Sequence, residues 1–198
     1  KIRPVFCDID PNTHNINPKQ VEALITPQTS AIMGVHLWGR GCDAQALQEI
    51  ADRRGLKLLF DSAHAFGCSH GGQMIGNFGN AEVFSFHATK FLNSLEGGVI
   101  TTNDGVLADK IRKMINFGFT GYDCVESIGT NGKMNEFSAA MGLTNLESMG
   151  EFIVVNYEHY LHYRGKLDLL PGISVMPYDE SERCNFQYLV VEVNEPLT

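Results

Sequence analysis

The chain has 198 residues, of which 43% are hydrophobic and 19% are charged, and its formal net charge is -8. This composition is typical of a globular protein, and the lack of any basic run in an acidic chain argues against nucleic acid and anionic membranes as partners. The five cysteines are scattered without a CxxC pair, and no stretch approaches the ~20 apolar residues of a membrane helix, so the sequence predicts reduced thiols and a cytoplasmic location.

The first sixty residues alternate short apolar runs with segments of helical spacing. Strands are predicted at 2–9, 30–38 and 56–60, and helices are predicted at 17–25 and 43–55. Asp43 is a suitable N-cap for the second helix, and Gly55 is a suitable C-terminal stop. Because helices connect successive strands, this order predicts an α/β fold with parallel strands.

Later segments predict a mixed sheet followed by helices. Two short strands, at 82–86 and 97–102, are joined by a loop rather than a long helix, so at least one strand is expected to be antiparallel. Residues 104–118 have amphipathic helical spacing, and residues 134–167 fit either one long helix or two consecutive helices. After the breaker LPG, the stretch 184–193 returns to strand character, which indicates the start of a second domain. The predicted domains are 1–150 and 151–198.

Polar side chains collect where two of the predicted strands end. Asp61 and His64 follow the strand at 56–60, while Ser85, His87 and Lys90 lie at the end of the next one. Ligands of open α/β sheets bind beyond the carboxyl ends of strands, so these groups are expected to face one pocket. A pyridoxal phosphate (PLP) site needs an amine, a carboxylate for the pyridine nitrogen, a ring that stacks and a hydroxyl for the phosphate. All four residue types are present.

Simpler interpretations of the same residues stay open on pattern alone. An Asp after a strand is often a turn or helix cap, a lone Lys is usually on the surface, and a His is often part of the core. A metal site is a further hypothesis, although its spacing matches no standard zinc pattern, and it would use Asp61, His64, Cys68 and His70.

The acidic pair Asp8 and Asp10 supports another hypothesis. Alternation along a strand would place both carboxylates on one face, where they would bind the metal of a sugar-nucleotide transferase. The turn sequence DPNTHN follows directly, and it favours a capping role for these side chains.

One long stretch of the sequence matches a known family. The segment FDSAHAFGCSHGGQMIGNFGNAEVFSFHATKFLNSLEGGVITTND, residues 60–104, closely resembles the core of the DegT/DnrJ/EryC1/StrS sugar aminotransferases. The flanking segments ITPQTSAIMGVHLWGRGCD and GTNGKMNEFSAAMGLTNLESM resemble the same family. The resemblance implies the central part of a fold type I PLP-transferase large domain, with a mixed, mostly parallel sheet flanked by helices and the beginning of a small C-terminal domain.

The resemblance assigns a role to each of five residues. Lys90 matches the lysine that forms an imine with PLP, and Asp61 matches the carboxylate that pairs with the pyridine nitrogen. Ser85 matches the phosphate-binding serine, and His64 stands where many members carry a glutamine stacked on the cofactor ring. Asn131 matches an asparagine that reaches the phosphate of a neighbouring subunit, which implies a homodimer with shared active sites. No role is assigned to His87.

The resemblance also implies a reaction. An amino acid, with glutamate as the expected donor, would give its amino group to a nucleotide-linked keto-deoxy sugar. A 4-keto-6-deoxyhexose is the expected acceptor, and a 3-keto sugar is the alternative. The presence of Lys90 argues against the dehydratase branch, in which histidine replaces the lysine. A non-catalytic fold type I remnant with a regulatory or structural role is the rival hypothesis.

Two features depart from the family pattern. Gly132 and Lys133 follow Asn131, whereas many members carry an aromatic and a basic residue there. Members are also considerably longer, with an N-terminal segment that completes the phosphate site and a C-terminal domain that closes over the substrate. The chain is therefore expected to be part of an enzyme.

Overall fold

A computed structural model of the protein describes residues 2–193. The helices in this range are α1 (Pro18–Leu24), a 3₁₀ turn (Leu37–Gly39), α2 (Ala44–Arg54), α3 (Gly105–Ile115), α4 (Glu136–Glu147) and α5 (Met149–Leu167). The strands are β1 (Ala31–Val35), β2 (Lys57–Asp61), β3 (Ser69–His70), β4 (Gln73–Met74), β5 (Ala81–Ser85), β6 (Gly98–Thr101), β7 (Phe119–Gly121), β8 (Cys124–Val125), β9 (Ile173–Val175) and β10 (Val191–Val193). None of the helices in the described range is long and apolar enough to cross a membrane.

A four-stranded mixed sheet with the order β1-β2-β5-β6 organises the fold. Strands β1, β2 and β5 are parallel, and β6 pairs with β5 in the antiparallel direction, as the sequence predicted. The register pairs Asp61 with Val35 on one side and with Val83 on the other. The carboxyl ends of three strands therefore meet at one edge of the sheet.

Local signals position the helices on this sheet. The Asn17 side chain caps α1, and the Asp43 side chain accepts a hydrogen bond from the Ala46 N–H at the start of α2. Gly55 ends α2 in the left-handed conformation. Helix α2 buries one face against β1 and β2, and the core there contains Ala44, Leu47, Ile50, Ala51, Ile32, Leu58 and Phe60.

The two faces of the sheet differ in burial. Leu58, Phe60 and Phe84 are buried on one face, whereas Met33 is 60% exposed and Val83 is 47% exposed on the other. Because side chains alternate along a strand, Asp61 and Ser85 lie on the same face as Met33 and Val83. The candidate site therefore begins where this open face meets the carboxyl edge of the sheet.

The strand predicted at 2–9 is wrong. Within the described range this segment contains only an isolated bridge between Ile9 and Ile16. Pro4 lacks a donor for a strand ladder, and Ile2 and Phe6 are almost fully exposed, so no packing supports an extended pairing.

Two other predictions are refined by the structure. Residues 134–167 form two helices, because Ser148, with a φ of -93° and a ψ of 1°, leaves the helical conformation between α4 and α5. The strand predicted at 184–193 is confined to β10, which pairs with β9. Phe186 has a positive φ of 51°, a conformation that no regular strand tolerates, so the residues before β10 follow an irregular path.

Candidate active site

Asp61 and Ser85 occupy the carboxyl ends of neighbouring parallel strands. One oxygen of Asp61, Oδ1, accepts a hydrogen bond from the Ala63 N–H at 3.0 Å. The Ser85 Oγ accepts one from the His87 N–H at 3.3 Å. In the part of the chain that the structure describes, Asp61 Oδ2 and the hydroxyl hydrogen of Ser85 have no partner. An acceptor and a donor are thus free at the sheet edge.

Lys90 is presented by a tight turn that follows β5. Its N–H donates to the His87 carbonyl at 2.9 Å, and the Thr89 N–H donates to His87 Nδ1 at 3.3 Å. His87 therefore organises the turn, which gives this unassigned residue a structural part. Lys90 is half-buried, and its Nζ makes no ion pair with any described carboxylate, so the amine is uncommitted.

The His64 side chain is held by a backbone hydrogen bond. Its Nδ1 accepts a hydrogen bond from the Trp38 N–H at 3.2 Å, so the neutral ring carries its proton on Nε2. Burial lowers the pKa of His64, the nearby Lys90 lowers it further, and Asp61 opposes the shift. These effects favour the uncharged imidazole. Both Asp61 and Lys90 therefore act on the charge of the His64 ring.

Residues near the C-terminus line the same region, and the sequence interpretation missed them. The Tyr188 ring lies 4.5 Å from the His64 ring. Asn185 is fully buried and donates to the His64 carbonyl at 2.9 Å. Gln187 Nε2 donates to the Thr89 carbonyl at 3.3 Å. The available signal was the polar Asn and Gln that interrupt an otherwise apolar run.

Asn131 does not join this group within the chain. It is exposed, forms a bridge with Asn116, and accepts a hydrogen bond from Lys133 Nζ at 2.8 Å. The Lys133 ammonium also lies 4.2 Å from the centre of the Phe117 ring. Among the contacts of the described residues, none joins Asn131 to Asp61 or Lys90. Its predicted action on a neighbouring subunit stays a prediction.

The residues of the metal hypotheses have other partners. Asp10 Oδ1 accepts from the Asn12 and Thr13 N–H groups and so caps the turn, whereas Asp8 Oδ1 accepts from the adjacent Ile9 N–H. Between residues 2 and 193, no three His, Cys, Asp or Glu side chains are grouped to hold a metal ion.

A cavity of about 290 Å³ is lined in part by Phe91, the residue that follows Lys90. Its lining consists of Phe91, Asn93, Asn145, Phe152, Val155 and Asn156. None of the predicted site residues is among them. The candidate site is instead the open edge of the sheet.

A parallel βαβ core that carries a lysine and an aspartate at its carboxyl edge is the architecture of the fold type I aminotransferase class. The chain belongs to the DegT/DnrJ/EryC1/StrS aminotransferase family, whose model matches residues 1–197. The structural comparison confirms the predicted partial fold type I domain. The crystal structure described as DesI in the presence of its TDP-sugar product superimposes with a TM-score of 0.90 at 50% identity, covering 96% of this chain and 48% of that one.

Curated relatives support the same family. The dTDP-4-amino-4,6-dideoxy-D-glucose transaminase of Shigella dysenteriae is 42% identical over 199 residues, which cover 100% of this chain and 54% of the relative. The GDP-perosamine synthase of Caulobacter vibrioides is 37% identical over 177 residues, which cover 88% of this chain and 48% of the relative. The chain thus spans about half the length of these relatives.

Proposed function

We propose that this chain carries the cofactor-binding part of a PLP-dependent sugar aminotransferase. The observation that supports it most is the assembly of an uncommitted lysine amine, a carboxylate and a neutral imidazole at the carboxyl edge of the sheet. A half-buried lysine that makes no ion pair among the described residues has no evident structural role. It suits a nucleophilic amine that reacts with an aldehyde.

The donors and acceptors fit PLP. The free oxygen of Asp61 is an acceptor for a protonated pyridine nitrogen, and the Ser85 hydroxyl is a donor for phosphate. The uncharged His64 ring is flat and is held in place by Trp38, so it is suited to stack on the cofactor. When bound, PLP supplies an electron sink that stabilises negative charge on a substrate carbon.

Each residue has a defined task in this proposal. Asp61 keeps the pyridine nitrogen protonated, because a nearby carboxylate favours the charged form. Lys90 would hold the cofactor through its Nζ, and the same amine would be the base that moves a proton at the α-carbon of the amino donor. Ser85 would hold the phosphate, and His64, whose ring contacts that of Tyr188, would stack on the pyridine ring.

The names of two relatives support a proposal for the substrates. The names of the Shigella and Caulobacter proteins point to nucleotide-linked amino sugars, and the Shigella name places its amine at C4. We therefore propose a nucleotide-linked 4-keto-6-deoxyhexose as acceptor and glutamate as donor, with a 3-keto sugar as the alternative. A homodimer in which Asn131 serves the partner's site, the domain boundary near residue 150 and a cytoplasmic location belong to the same proposal.

The test uses the complete protein with PLP, glutamate and a dTDP-linked 4-keto-6-deoxyhexose. We expect an amino sugar that is lost in Lys90→Ala and retained in Lys110→Ala, because Lys110 is an exposed lysine on α3. Product formation by Lys90→Ala at the wild-type rate would refute the proposal. PLP binding without amino transfer to 4-keto or 3-keto sugars would favour the non-catalytic hypothesis.

A further inference from the structure

A fully buried carboxylate lies directly beneath the candidate site. Glu82 is on β5 and points to the face opposite Val83 and Ser85. Glu82, His36 and Ser62 all have 0% exposure. Buried carboxylates are rare unless they are paired, and none of the tasks proposed above uses this one.

Glu82 joins four segments of the chain. Its Oε2 accepts from the Ser62 hydroxyl at 2.6 Å, and its Oε1 accepts from the N–H groups of Gly76 at 2.8 Å and Phe78 at 2.6 Å. His36 Nε2 lies 3.5 Å from Oε2. Burial raises the pKa of Glu82, but these polar contacts outweigh burial and lower it, so the group is ionised at neutral pH.

Two of these segments hold the carboxyl end of β2, where Asp61 lies. The His36 N–H donates to the Asp61 carbonyl at 3.0 Å, and the Ser62 N–H donates to the Val83 carbonyl at 2.8 Å. Ser62 also opens the turn after β2, because its carbonyl accepts from the Ala65 N–H at 2.9 Å. That turn contains His64 and the Ala63 N–H that binds the Asp61 carboxylate, so the direction of both side chains depends on the position of Ser62.

We propose that Glu82 is a positioning residue that fixes, through the Ser62 hydroxyl and His36, the turn that directs Asp61 and His64 toward the cofactor. The role of Glu82 in cofactor binding rests on the proposed function. The network of hydrogen bonds around Glu82 is defined by the buried contacts alone. His36 Nδ1 accepts from the Cys42 N–H at 3.1 Å, so the neutral ring carries its proton on Nε2, which is buried, makes no hydrogen bond with a described residue and lies 3.5 Å from Glu82 Oε2.

Two variants separate positioning from simple support of the fold. Glu82→Gln keeps an oxygen for the Gly76 and Phe78 N–H groups, but its amide nitrogen faces the His36 proton, so two donors oppose each other. Ser62→Ala removes only the link to the turn and leaves those backbone bonds intact. Leu47→Ala is the control, because Leu47 is equally buried but lies on α2 in the neighbouring core.

The experiment measures two quantities in each variant and in the Ser62→Ala/Glu82→Gln double variant. The first is hydrogen exchange of the Ala63 amide without PLP, and the second is the dissociation constant for PLP. We expect each single variant to accelerate the Ala63 exchange and to weaken PLP binding about tenfold. The double variant should lose no more PLP affinity than the weaker-binding single variant, because both changes break the same link. Leu47→Ala should lower stability and leave PLP affinity unchanged.

Unchanged Ala63 exchange in Glu82→Gln, or additive losses of PLP affinity in the double variant, would overturn the inference. Equal loss of PLP affinity in Leu47→Ala would also overturn it, since the effect would then follow stability alone. If the wild-type chain forms no adduct with PLP, the proposed function fails. The Ala63 exchange then still decides whether Glu82 fixes the turn.

Discussion

Replacement of Asn185 by alanine should destabilise the chain and loosen the site. The buried side chain donates to the carbonyls of His64 at 2.9 Å and Phe66 at 3.1 Å, and it accepts from the Gln187 N–H at 3.1 Å. Asn185→Ala therefore removes the side-chain partner of three part-buried backbone groups, and a group left unsatisfied costs about 1–3 kcal/mol. With the lower cost for each, the free energy of unfolding should fall by about 3 kcal/mol.

Urea denaturation followed by circular dichroism measures this loss. With a slope of about 2 kcal/mol per molar urea, the midpoint should fall by about 1.5 M. Asn77→Ala is the matched control, because Asn77 is exposed and donates only to the Met74 carbonyl at 3.0 Å. Its effect should stay within about 0.5 kcal/mol. Equal midpoints for Asn185→Ala and Asn77→Ala would refute the claim that residues near the C-terminus hold the His64 segment.

Two further predictions concern the same region. Burial and Lys90 lower the pKa of His64 from its ordinary value of 6.5, so the unfolded chain takes up more protons on acidification and stability should fall as the pH drops below 6.5. His64→Gln should flatten that part of a profile of urea midpoint against pH, and an unchanged slope would contradict the shift. Gly39→Ala should lower the melting temperature, because Gly39 has a φ of +78° and a Cβ there would lie 3.0 Å from Asn185 Oδ1 and 3.1 Å from the His64 carbonyl. Gly105→Ala, with no atom within 4 Å, should not lower it, and equal losses would show that crowding at Gly39 is unimportant.

The sheet and its helices could be predicted from the sequence because their signals are local. Asp43 and Gly55 mark the ends of α2, and alternating burial marks β2. The strands predicted at 2–9 and 184–193 form few or no strand-to-strand hydrogen bonds, because apolar composition does not reveal whether a neighbouring strand is available. The hairpin of β3 and β4 was missed, although Gly71 and Gly72, both with positive φ, are typical of its two-residue turn.

The candidate site was predictable only in part. The sequence places Asp61 and Ser85 at the ends of two strands and Lys90 shortly after the second. Because ligands of open α/β sheets bind beyond the carboxyl ends of the strands, these residues could be assigned to one site. Asn185 and Tyr188 are more than a hundred residues away from Asp61, and no local pattern indicates that they return to His64. Glu82 is in the middle of a strand, where alternation alone predicts an apolar residue on the buried face. Its role depends on partners from three other segments.

The role of Lys90 can be tested by borohydride reduction after incubation with PLP, followed by peptide mass mapping. We expect one phosphopyridoxyl group on Lys90, with Lys110 unmodified in the folded protein and no adduct in Lys90→Ala. An adduct spread over exposed lysines, or one that persists in Lys90→Ala, would contradict the assignment of Lys90 as the cofactor-binding residue.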